Sequence, residues 1–90
     1  MAYDLTVSGL EDGPRAKLRA LSDRGGCECW GADPVSIGMG RLPDKKAARF
    51  YAALVKLARR HGLTVHDPQA GLDVDLDAPG THPPGWAPPE

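Results

Sequence analysis

Residues 42–67 read LPDKKAARFYAALVKLARRHGLTVHD, and the fold turns on how this stretch divides. Ala47, Phe50, Tyr51, Leu54, Leu57 and Ala58 recur at spacings of three and four, which places them on one stripe of a helix. Asp44, just after Leu42-Pro43, is the expected N-cap, because a short acidic side chain can accept from the unpaired amides of a first turn. Gly62 stops the helix where a residue of positive φ is wanted, so the helix is predicted from Asp44 to about His61. Leu63 and Val65 then continue as a strand reaching toward Asp67.

Outward from this core, the pattern switches between periods of two and of 3.6. Tyr3, Leu5 and Val7 alternate with Asp4, Thr6 and Ser8, the signature of a half-buried strand. Glu11, Asp12 and Gly13-Pro14 suit a helix start, and a short helix from about 14 to 23 would bury Leu18 and Leu21 before Gly25-Gly26 ends it. Cys27 to Trp30 and Val35 to Met39, joined by Gly31-Ala32-Asp33-Pro34, form a hairpin. Pro68 to Gly71 turns the chain, after which Leu72, Val74 and Leu76 alternate with Asp73, Asp75 and Asp77 as a one-sided edge strand. The expected fold class is α+β: a ferredoxin-like split βαβ (β-α-β-β-α-β), an antiparallel sheet with two helices on one face and an optional extra C-terminal edge strand.

Ninety residues allow one domain, and Leu, Ile, Val and Phe together number only 17, so its core is small. Five of the nine prolines fall in residues 78–90, APGTHPPGWAPPE, a composition that favours an extended polyproline-like chain over a packed one. The domain is therefore drawn as 1–77, with 78–90 as a flexible tail. Apolar runs are far shorter than the roughly 20 residues that span a bilayer. Met1-Ala2-Tyr3-Asp4-Leu5 lacks the basic start and apolar centre of a secretory signal, so the cytoplasm is the expected compartment.

The net charge of −1 hides segregation. Residues 41 to 61 carry seven cations against Asp44, a sum of +6, while residues 62 to 90 carry five acids and no Lys or Arg, a sum of −5. Arg41, Lys46, Arg49, Lys56 and Arg60 lie broadly opposite the apolar stripe and could bind nucleic acid or another anion. Against RNA, Val35 to Met39 places no aromatic on a central strand for bases to stack on. Asp73, Asp75 and Asp77 have the opening spacing of a calcium loop, but Ala78 stands where its glycine is needed and Pro84 where its glutamate is needed. As an acidic edge they would deter strand pairing or meet a basic partner. Trp30 and Trp86 are the aromatic anchors available to such a contact.

Other motifs point away from catalysis. Cys27 and Cys29 share a strand face at a separation unfavourable for a disulfide, and zinc would need two further ligands that His61, His66 and His82 do not supply at ligand spacing. They are read as small core side chains, with metal or thiol chemistry as the alternative. Gly38-Met39-Gly40 opens like a dinucleotide fingerprint, but Pro43 replaces its last glycine. No nucleophile elbow, HExxH or P-loop spacing occurs, and His66 and Asp67, being adjacent on a strand, point to opposite faces. No cofactor is expected.

Met1-Ala2-Tyr3-Asp4-Leu5 and His61-Gly62-Leu63-Thr64-Val65-His66-Asp67-Pro68-Gln69 together resemble a set of small bacterial proteins that begin with a segment such as MSYDL and close with HGL, a strand and YDPQ. This chain carries His66 in place of the tyrosine and has a shorter middle. Some of these proteins are similar to immunity proteins that neutralise polymorphic toxins. The resemblance implies kinship of fold more than of function. The expected function is that of a non-enzymatic protein-binding module, an inhibitor or immunity-type protein that occludes a partner with Asp73, Asp75, Asp77, Trp30 and Trp86. That partner would carry a basic surface, as a toxin or a nucleic-acid-acting enzyme does, and a homodimer is an additional expectation.

Overall fold

The alternation in β1 (Asp4–Ser8) makes it the centre of the sheet: Leu5 and Val7 are fully buried, while Asp4, Thr6 and Ser8 stay partly exposed. The computed structural model describes residues 4–9, 11–31, 34–39 and 42–86. Around β1 stand α1 (Asp12–Gly25), β2 (Glu28–Trp30), β3 (Val35–Gly38), α2 (Asp44–His61), β4 (Thr64–Asp67) and β5 (Leu72–Asp73). The strands pair antiparallel throughout, in the order β2-β3-β1-β4-β5, which is the split βαβ arrangement with an added edge strand.

Register explains why only one face of the sheet is covered. Leu5 lies opposite Ile37, and Val7 lies opposite both Val35 and Val65, so these buried side chains form one apolar layer. Helix α2 sits on that layer with Ala47, Phe50, Tyr51, Leu54, Val55 and Ala58 buried. Val55 completes the stripe, whereas Leu57 is only half-buried, because it turns toward α1 rather than the sheet. Gly62, with φ of 65°, ends α2 as expected, and in that left-handed conformation the Cβ of any other residue would crowd its own backbone carbonyl.

Three local expectations change. Pro43, not Asp44, is the N-cap of α2, and no side chain caps this end. Asp44 occupies the first helical position, where a carboxylate still favours the positive end of the helix dipole. Its Oδ1 instead lies 3.0 Å from Nε2 of His82 and accepts from Nε1 of Trp86 at 3.4 Å. Helix α1 begins two residues earlier and ends two later than the pattern suggests, and buries Leu18 with Ser22. Strand β5 has only two residues. Val74 turns inward, its N–H donating to Val65 O at 2.8 Å, and Asp75 Oδ1 accepts from the Asp77 N–H at 3.0 Å, a side-chain-closed turn that ends the alternation. Tyr3, Ala32 and Asp33 lie outside the described residues.

Composition places the domain end at Asp77, yet the chain runs on against the domain as far as Trp86. Asp67 is the anchor. It is completely buried, and its carboxylate accepts from Gln69 N–H at 3.0 Å, Gln69 Nε2 at 2.9 Å, Ala70 N–H at 3.1 Å and Gly85 N–H at 2.7 Å. The Gln69 amide also reaches β1, accepting from Asp4 N–H and donating to Asp4 O. The start of β1 at Asp4 and the Asp-Pro-Gln turn, distant in sequence, are thereby joined. Further along, the Tyr51 hydroxyl donates to Pro79 O at 2.8 Å, Pro83 is buried, and the ring of His82 stacks on Trp86 with centroids 6.1 Å apart.

Replacing Asp67 with Ala removes the acceptor of four part-buried hydrogen bonds at once, and each such bond contributes on the order of 1 kcal/mol. Asp67→Ala is therefore expected to lower unfolding free energy by about 3 kcal/mol or more in urea titrations. In a Trp30→Phe background, where Trp86 is the sole indole, it should also shift emission to longer wavelength as the strap from 78 to 86 leaves the domain.

Candidate functional site: a basic groove between the helices

Two helices side by side on one sheet face leave a furrow between them, and its depth here is set by a close approach. A Cβ placed on Gly25, at the end of α1, would fall 2.9 Å from Phe50 Cδ1, so only glycine lets that turn settle against α2 undisturbed. The furrow has a larger part of about 600 Å³ and a smaller continuation of about 340 Å³. Leu21, Phe50, Ala53 and Leu57 form an apolar floor along it. Lys17 and Arg24 from α1 and Lys46, Arg49, Lys56 and Arg60 from α2 form the rim, with Asp23 the one acid lining it. All six cations are exposed.

Four of the five cations expected to form an anion site, Lys46, Arg49, Lys56 and Arg60, are thus brought together; Arg41 lies outside the described residues. Lys17 and Arg24 join the groove from outside that expected set. Their signal was present in the row Lys17, Ala20, Leu21, Arg24, whose i, i+3, i+4, i+7 spacing aligns it on one side of α1. What the sequence does not state is that this side faces α2.

The residues expected to cover a basic partner are dispersed. Trp30 stands on the uncovered face of β2, 46 % exposed, with its ring across Gly38. Asp73 occupies β5 at the opposite edge, about 19 Å away at ~4.8 Å per strand step, and pairs with His66 Nδ1 at 2.8 Å. Register nevertheless sets Trp30, Ser36, Thr6, His66 and Asp73 in one row across the open face. Asp75 and Asp77 follow in the turn beyond it, and Trp86 is turned to His82 and Asp44 within the strap. Trp86 and Trp30 therefore belong to different surfaces.

Cys27 is buried and Cys29 half-buried, both as free thiols. Burial, with the neighbouring Cys29 sulfur adding to it, pushes the Cys27 thiol up to about 11. Among the described residues no three His, Cys, Asp or Glu side chains cluster as metal ligands, and no helix is long and apolar enough to cross a membrane. No protein family, curated protein or solved structure matches the chain.

Since the folded state holds the Cys27 proton more tightly than the unfolded chain, stability is complete below pH 9 and falls as pH rises toward 11. Tyr51, also raised by burial and by the nearby Asp67 carboxylate, adds in the same direction. The loss assigned to Cys27 is on the order of 2 kcal/mol, and Cys27→Ala should flatten the decline in urea titrations between these pH values. A thiol reagent at pH 8 is expected to modify Cys29 rapidly and Cys27 only on unfolding.

Proposed function

We propose that the protein is a non-enzymatic protein-binding module that takes an acidic, amphipathic segment of a partner in the α1–α2 groove. The observation that carries this reading is the pairing of six cations with an apolar floor. A face that only solvates its charges needs no such floor, whereas a helix or extended segment with apolar ridges and acidic flanks fits both parts. The floor also favours protein over nucleic acid. Binders of single strands present aromatic rings for stacking, but Phe50 is buried at 3 % exposure and Trp30 is on the far side of the sheet.

A second reading rests on the open face, where Asp4, Glu28 and Asp73 share the surface with Trp30 and no strand position carries Lys or Arg. This is the surface with which an inhibitor or immunity-type protein would cover a basic target. The two readings place the partner on opposite sides of the sheet.

A helix-forming peptide with Leu on one stripe and Glu elsewhere distinguishes them. Arg49→Glu combined with Lys56→Glu should weaken its binding about tenfold or more, a change of ~1.4 kcal/mol, measured by fluorescence anisotropy. Lys45→Glu with Arg59→Glu, an equal charge change at positions that do not line the groove, should weaken it far less. Equal losses from both pairs would reduce the groove to general electrostatics, and tighter binding of a random oligonucleotide than of the peptide would transfer the site to nucleic acid.

A further inference from the structure

The groove requires a segment with carboxylates around an exposed apolar side chain, and the chain displays one itself. Among the described residues, two large hydrophobic side chains are exposed, Trp30 at 46 % and Leu72 at 47 %. Trp30 rests across Gly38. Leu72 stands at the outer edge of the sheet, followed by Asp73, Asp75 and Asp77, all exposed, and residues 62–90 contain no Lys or Arg. Asp73 is paired with His66, and Asp75 gives one carboxylate oxygen to the Asp77 N–H, which leaves Leu72, the other oxygen of Asp75 and Asp77 as the outward features of the β4–β5 corner.

We propose that this corner of one molecule occupies the α1–α2 groove of a second copy, with Leu72 over Leu21, Ala53 and Leu57 and the two aspartates against the basic rim. The proposal rests on the groove reading above and names its occupant. The groove and the corner are different surfaces of one fold, β5 being the edge strand remote from β2, against which α1 packs. A molecule therefore fills a neighbour's groove rather than its own. Such a contact is heterologous and propagates head to tail unless its rotation closes a ring. A net charge of −1 offers little overall repulsion to oppose the stacking.

Sedimentation velocity on the full chain tests this. In about 20 mM salt, the weight-average mass is expected to rise to about twice the monomer by roughly 500 µM, and the rise should vanish in about 500 mM salt, where charges beyond about 4 Å are screened. Two neutralised variants separate the surfaces: Arg49→Gln with Lys56→Gln in the groove, and Leu72→Ser with Asp75→Asn and Asp77→Asn at the corner. Each alone should stay monomeric, while an equimolar mixture should regain association that stops at two copies, because only one intact groove meets one intact corner. A wild-type chain that remains monomeric under these conditions, a corner variant that still associates, or a mixture that stays monomeric would overturn the proposal. Titration with the Leu/Glu peptide keeps the failures distinct: peptide binding without self-association ends this inference and leaves the groove reading standing, whereas loss of both ends both.

Discussion

One-sided coverage of the sheet is the constraint on which the rest of the molecule depends. With few large apolar side chains available, Leu5, Val7, Val35, Ile37 and Val65 supply a single buried layer, and both helices must lie on it. Burying such side chains is worth about 1.5–3 kcal/mol each, enough to decide the topology of so small a domain. Once α1 and α2 are forced side by side, the furrow between them and the direction of their outer charges follow. The cations go to the helical side; the strands' polar positions other than the buried Asp67, with Asp4, Glu28 and Asp73 among them, go to the open face.

The second dependence is on Asp67. A completely buried carboxylate is costly unless its oxygens are fully engaged, and here the β4 turn and the strap satisfy it together. Gln69 then ties the same node to the start of β1. The segment 78–86 thus covers the flank of α2 that α1 does not reach, through Tyr51, Asp44 and the His82–Trp86 stack. Functionally this matters because Trp86, an attractive anchor on composition, is turned inward, and the groove lies on the other flank of α2.

The sequence was most legible where burial is periodic. The stripe through Ala47, Phe50, Tyr51, Leu54 and Ala58, the stop at Gly62 and the alternation of Leu5 and Val7 each report a local geometry that the chain realises. Legibility failed where one residue answers to a distant one. Asp44 has the chemistry of an N-cap but is drawn outward by His82 and Trp86, 38 and 42 residues away. Proline content announces an extended segment and says nothing of Gly85 reaching Asp67. Of the groove, the α2 half was readable as a charged face; Lys17 and Arg24 join it only through the packing of two helices, which no local period encodes.

The proposed binding mode places the partner in the α1–α2 groove rather than on the open sheet face. The most direct measurement is two-dimensional ¹H–¹⁵N NMR of the labelled chain titrated with the Leu/Glu peptide. Amide shifts are expected to concentrate at Lys17, Leu21, Arg24, Arg49, Ala53 and Leu57 while the Trp30 indole and the amides of Thr6, Ser36 and His66 stay fixed. Perturbations centred on Trp30, Ser36 and His66, with the helical amides unmoved, would contradict it.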